Sequence, residues 1–257
     1  IPFFDSHKQY KMNLARKHGD LVVFNHPDRT IGITSRTMER LSGYRLIEGD
    51  SGFQERDGGE GTYLHLWDEA LSAGRYSHNV LSDDNHDSKI PERIARRSTW
   101  INTPSAEYFD VKEALLAGDF YSMRTPAGFP ADSLPKVVNV GLRGDTLFLT
   151  LSRPARSIEA ISQNGEVRRS VTGSARIEYV MLKDEPYIRF TARYDDGVVI
   201  YTNAFARYSE GESPYRDLNH KVNWPLTIIY NLLLLAVIIF VGEKCKKTLT
   251  LLGGKQG

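Results

Sequence analysis

The chain has 257 residues, with 33 Lys and Arg against 32 Asp and Glu for a formal charge of +1, which leaves room for one large or two ordinary domains. A near-neutral balance without a basic stripe argues against a dedicated nucleic-acid binder, whose affinity rests on neutralising phosphates. The one cysteine, Cys245, excludes an intrachain disulfide and leaves the redox compartment open.

The chain opens at Ile1 with neither a methionine nor a basic, apolar leader, so either it is processed or its N-terminus is missing, and we expect a missing N-terminal portion. From Leu14 to about Thr125 short apolar runs alternate with helix-like segments, the pattern of β/α units whose strands are buried on both faces. Three runs end in polar residues. Leu21 to Phe24 leads into Asn25-His26-Pro27, Tyr44 to Ile47 into Glu48, and Ser77 to Leu81 into Ser82-Asp83-Asp84-Asn85-His86. Between them, Tyr63 to Ala73 reads as a helix stopped by Gly74, and Asp110 to Ala117 repeats that grammar before Gly118. The Gly-rich, acidic stretch from Asp50 to Gly61 reads as a solvated loop near the strand ends, with a lid as the alternative.

After a Pro-containing bridge from Thr125 to Pro135 the texture becomes short alternating runs: VVNVGL, TLFLTL, IEAIS, RIEYVML, YIRFTARY and VVIYTNAF. Hairpin turns are expected at Gly144-Asp145, Asn164-Gly165 and Asp196-Gly197, giving a small all-β, sandwich-like module. Ser209 to Asn223 is a polar linker. Trp224 to Gly242 then reads WPLTIIYNLLLLAVIIFVG without a charge, and Glu243, Lys244, Cys245, Lys246 and Lys247 follow. As a helix, Leu226 to Val241 would rise roughly 24 Å, close to a hydrocarbon layer of about 30 Å once Trp224 and the lysines extend it. A buried core helix is the alternative, but this run has no polar face. The lysine cluster places the stub in the cytoplasm and the body outside, periplasmic or at the cell surface, against a counter-signal from Arg207, Arg216 and Lys221. The expected division is therefore 1–125, an α/β portion; 126–208, the β module; 209–223, the linker; 224–242, a transmembrane helix; and 243–257, a short tail.

Asp84 and His86 are separated by one residue after an apolar strand, so an extended backbone would turn both to one side. His26 arrives from another strand end. Two imidazoles and a carboxylate suit divalent zinc, manganese or iron, and active sites of β/α barrels gather at the C-terminal ends of strands. Arg96 and Arg97 are candidate phosphate contacts by charge, a solvated helix face being the simpler reading.

The ordered set Asn25-His26-Pro27, Glu48, Trp67 to Gly74, Ser82 to His86 and Glu113 to Tyr121 resembles the C-terminal half of a PHP domain, the polymerase and histidinol phosphatase superfamily. The resemblance covers roughly Leu14 to Thr125. It implies part of a distorted (β/α)7 barrel whose strand ends hold two or three divalent metals for phosphoester hydrolysis. His26 matches the family's His-Pro ligand, Asp84 and His86 its late Asp-x-His ligands, and Glu48 an acidic position assigned to orienting a ligand. Asp83 joins Glu48 as a neighbour of the ligands, and Asp83 and His78 have no clear family role. The family's opening His-x-His pair has no counterpart in residues 1–257. A complete metal centre would then need the preceding portion.

These readings lead to a membrane-anchored, metal-dependent phosphoesterase acting on a phosphorylated substrate of undetermined class. The alternative is a PHP-like scaffold that binds a partner at the membrane without hydrolysis.

Overall fold

The computed structural model describes residues 5–27, 33–52, 62–87, 89–209, 211, 215 and 223–253. Lys11–Leu218 form one compact unit, and Ile1–Tyr10 with Asn219–Gly257 form a second. The fold is mixed α/β, with a short parallel sheet, a curled antiparallel sheet and a C-terminal apolar helix.

After helix α1 (Asp5–His18), strand β1 (Val23–Phe24), helix α2 (Ser35–Arg40), strand β2 (Leu46–Ser51), helix α3 (Leu64–Ser72) and strand β3 (His78–Ser82) follow in β/α alternation. The strands pair parallel in the order β1-β2-β3. Every residue of β2 is buried, as expected of a strand covered on both faces. This strand runs on through Glu48 and Asp50 instead of ending before them. These polar residues continue the strand because each finds partners, and the register shifts between them. Helix α3 ends where Gly74, at φ +73°, donates to Leu71 O and Arg75 donates to Ala70 O. Its buried face presents Leu66, Trp67, Ala70 and Leu71 to a core shared with Met38, Leu41 and Ile47.

Strands β4 (Arg97–Ile101) and β5 (Phe120–Arg124), linked through helix α4 (Tyr108–Ala117), pair antiparallel. They share a sheet with β6 (Val137–Arg143), β7 (Thr146–Ser162), β8 (Glu166–Val180), β9 (Tyr187–Arg193) and β10 (Val199–Thr202), in the order β4-β5-β10-β9-β7-β6, while β8 pairs with β7 and β11 (Phe205–Ala206) with β9. Residues on both sides of position 125 therefore belong to one sheet. Hairpin turns occur at Gly144-Asp145, Asn164-Gly165 and Asp196-Gly197, as the sequence leads one to expect.

The runs TLFLTL and IEAIS are a single strand, β7, of 17 residues. Pairing with β8 breaks between Thr150 and Ala155, where Pro154 offers no N–H. Side chains from both halves (Leu147, Leu149, Ala155 and Ile158) enter one core cluster.

Strand β9 alternates between two environments. Ile188, Phe190 and Ala192 fill the core of the antiparallel sheet, while Tyr187 packs with Trp67 and Leu71 in the other core. Arg189, on the Tyr187 face, forms a bidentate pair with Asp68 of α3, Nε to Oδ1 at 2.7 Å and Nη2 to Oδ2 at 2.6 Å. Tyr187 Oη adds a bond to Asp68 Oδ1 at 2.8 Å, and the guanidinium lies over the Trp67 ring. Both ion-pair side chains are 4% exposed, so neither can exchange its partner for water.

Helix α5 (Trp224–Gly253) begins where Asn223 Oδ1 accepts from Leu226 N at 3.2 Å, with Pro225 in the first turn. From Trp224 to Thr248 it is long and apolar enough to cross a membrane, and its large side chains are exposed. Among the described residues little covers the helix. Within its unit, Thr227 Oγ1 lies 3.1 Å from His7 Nε2.

Asp68→Ala strands the Arg189 guanidinium in a buried site and should cost about 3–5 kcal/mol. Asp68→Leu combined with Arg189→Met should cost distinctly less than Asp68→Ala, since no charge is left unpaired; urea unfolding followed by circular dichroism distinguishes them.

Candidate functional site

The central strand of the parallel sheet supplies the organiser of the site. Glu48 is 2% exposed, and a carboxylate so buried needs donors for its oxygens. Its Oε2 accepts from the backbone N of His26 at 3.0 Å and lies 2.9 Å from His26 Nδ1, while its Oε1 accepts from Ser82 Oγ at 2.7 Å. One carboxylate on β2 thereby holds the segments that follow β1 and end β3. Because an ionised carboxylate only accepts, the proton on the His26 ring belongs at Nδ1.

Nε2 of His26 is turned toward Asp84 Oδ2, 3.8 Å away. Asp84 Oδ1 lies 3.7 Å from His86 Nδ1, and that same nitrogen is 2.9 Å from the Asp84 carbonyl. The Asp84 carboxylate thus stands between two imidazoles, with His86 well exposed. Both His26 (φ 47°) and Asp84 (φ 45°) occupy the left-handed region. Such backbone in residues with a Cβ is a local cost that surrounding contacts must hold in place, and it concentrates at functional sites. Ala95, at φ 58°, belongs to the same neighbourhood. Among the described residues, three of the four non-glycine residues with positive φ cluster around Asp83 and Asp84, and the fourth, Asn164, makes a hairpin turn.

Asp83 points away from this pair. Its carboxylate accepts from the backbone N–H groups of Ala95, Arg96 and Arg97 at 2.5, 2.9 and 2.7 Å, fixing the loop between β3 and β4. A Cβ on Gly52 would meet Asp83 O at 2.7 Å, so only glycine lets β2 pass this loop so closely.

The two arginines separate. The Arg97 side chain is 1% exposed and donates from Nε to the equally buried Asp50 Oδ1 at 2.9 Å, with Arg124 Nη1 3.7 Å from Asp50 Oδ2. This burial assigns Arg97 to the joint between the sheets and removes it from contact with a phosphate. Arg96 is half-buried and lines a shallow depression with Gly52, Asp83 and Arg93. The stretch from residue 53 to 61, where a loop or lid was expected, lies outside the described residues.

Sequence reading missed Ser82 and Asp50 as partners. Their only signal was polarity at the end of an otherwise apolar strand, which does not tell a clamp from a turn.

His26 and Asp84 offer one nitrogen and one oxygen, close to the roughly 3.4 Å that separates two ligands of a tetrahedral ion with bonds of about 2.1 Å. The donor chemistry of this pair fits a divalent cation. A full set does not converge, because among the described residues no three His, Cys, Asp or Glu side chains stand close enough to hold a metal ion.

His78 sits at the other end of β3. Burial lowers its pKa from 6.5 to about 4, against a hydrogen bond with the Leu116 backbone. Its Nε2 meets Tyr215 Oη at 2.8 Å, and its ring makes edge contacts with Phe120 and Tyr215.

Comparison with protein-family models, curated proteins and solved structures finds no match.

Two predictions follow from these placements. Below about pH 6.5 the unfolded chain takes a proton on His78, while the folded ring takes one only near pH 4. Stability should therefore fall as pH drops through that window, and in His78→Gln this part of the loss, about 3 kcal/mol, should vanish from a pH series of urea titrations. Gly52→Ala should displace the Asp83–Asp84 backbone, visible as shifted amide resonances around Asp84, while resonances of the antiparallel core stay in place.

Proposed function

We propose that the chain carries part of a metal-dependent phosphoesterase of PHP type, held at a membrane by α5. The observation that carries this reading is the Glu48 clamp. It orients His26 through Nδ1 and leaves Nε2 turned to a carboxylate at the C-terminal ends of parallel strands, on backbone that is costly to maintain. An imidazole fixed through its far nitrogen by a carboxylate is the usual preparation of a metal ligand.

His26 and Asp84 would hold the cation, with His86 the next donor and zinc, manganese or iron all compatible with a nitrogen and oxygen set. When bound, such a cation supplies Lewis acidity toward phosphate oxygens and acidifies water. The chain's own contribution is positional. Glu48 fixes the His26 ring and the Ser82 hydroxyl, Asp83 fixes the loop that carries Arg96, and Arg96 offers a guanidinium for a phosphate oxygen. The formal charge of +1 favours a small phosphate ester over nucleic acid.

The test is metal content together with turnover of p-nitrophenyl phosphate and its bis-ester by the full-length protein in detergent. Wild type should bind metal and hydrolyse one of the esters; His26→Ala and Asp84→Ala should lose both, and Glu48→Gln should weaken metal binding about 10- to 100-fold. The lack of three converging donors among the described residues favours a second reading, a binding scaffold without hydrolysis. A wild type that binds no metal and turns over neither ester would establish that reading and end the first.

Membrane attachment has a separate test. Cys245 is the only cysteine, exposed, and lies among the lysines after the apolar run. If the stub is cytoplasmic, a membrane-impermeant maleimide should label it only after cells are permeabilised; labelling of intact cells would reverse the orientation.

A further inference from the structure

A cavity of about 610 Å³ opens beside His78, at the end of β3 opposite Asp84 and roughly 20 Å from it at about 3.3 Å per residue. We propose that this cavity is a second binding site and that it takes a neutral sugar ring.

Its volume falls in the range of small-molecule sites, roughly 300–1,000 Å³. Trp100 of β4 and Tyr121 of β5 line it with rings inclined by only 6° and centroids 6.3 Å apart. Both are half-buried and rest against the core of the antiparallel sheet, which holds them as a stacked aromatic pair beside the cavity. The outer face of such a pair is electron-rich and attracts the slightly positive C–H groups on one face of a pyranose. Polar groups in the lining come from Asn102, Asp119 and Asn139, all exposed. Asn102 N donates to Asp119 O at 2.8 Å, so the backbones carrying two of these side chains are fixed to each other. Amide and carboxylate side chains together match a set of vicinal hydroxyls, each of which both donates and accepts.

The lining also excludes. Among the described residues it contains no lysine or arginine and a single carboxylate, Asp119, which repels anions, so a phosphate ester suited to the candidate metal site is rejected here. Asn203 does not take part in binding, because its amide is committed to Gly118 O, Phe120 O and Asn79 N.

The experiment is saturation-transfer NMR on the full chain in a zwitterionic detergent, since glycosidic detergents would compete. The probes are the methyl glycosides of glucose, galactose, mannose and N-acetylglucosamine, with glucose 6-phosphate as the anionic control. At least one neutral glycoside should receive saturation, and its affinity should fall tenfold or more in Trp100→Ala and in Asp119→Ala. Asp119 is exposed, so that variant retains the fold even if loss of Trp100 perturbs the sheet. Absence of transfer to every neutral glycoside at 10 mM, binding unchanged in Asp119→Ala, or preference for the phosphorylated sugar would each overturn the proposal.

Discussion

The ion pair between Asp68 and Arg189 joins the two halves of the Lys11–Leu218 unit, and the positions of the other elements follow from it. Asp68 lies on the helix that covers the parallel sheet, and Arg189 lies on a strand of the antiparallel sheet 121 positions later. Buried charges of opposite sign, in bidentate register and with a tyrosine hydroxyl on the same carboxylate, accept one relative placement of helix and strand and reject others. The net gain in stability from such a pair is small, because desolvation offsets most of the attraction. Its contribution is orientation. With α3 fixed against β9, the face of β2 that α3 covers is closed, and the strand is left to present Glu48 to the loops at its C-terminal end.

Glu48 repeats this logic on a smaller scale. A buried acceptor gathers donors from whichever segments can reach it, and here they come from the segments following β1 and ending β3. The left-handed backbone at His26 and Asp84 is the counterpart of that gathering. Two residues that would relax on their own are held where an imidazole nitrogen and a carboxylate face each other. Asp83 and Asp84 show how adjacent residues of one type divide the work, the first fastening a loop through three backbone donors and the second facing His26. Position in sequence did not distinguish them; the direction of the chain after β3 does.

The strand ends and hairpins were legible because their physics is local. An apolar run followed by polar residues marks a buried strand reaching solvent, and Gly-Asp, Asn-Gly and Asp-Gly mark turns that need positive φ. The polar continuation of β2 was not legible, since burial of Glu48 and Asp50 depends on His26, Ser82 and Arg97, which arrive from elsewhere in the chain. Pro154 reads as a boundary between two strands, yet it falls where pairing is already interrupted and β7 passes through. The alternation of β9 was visible as Tyr, Arg and Thr against Ile, Phe and Ala. Its polar face is buried against Asp68. Arg97 likewise looks available by charge and is enclosed by Asp50. In each case a long-range polar partner overrides the local rule.

Glu48 fixes His26 with Nδ1 toward its carboxylate and Nε2 turned to Asp84, the pair proposed to hold a cation. The most direct measurement is nitrogen NMR of the ¹⁵N-labelled histidine rings, with His26 assigned by comparison with His26→Gln, before and after addition of zinc. The account predicts a protonated Nδ1 and an Nε2 resonance that moves when zinc is added. An Nε2–H tautomer whose resonances do not respond to zinc would contradict it.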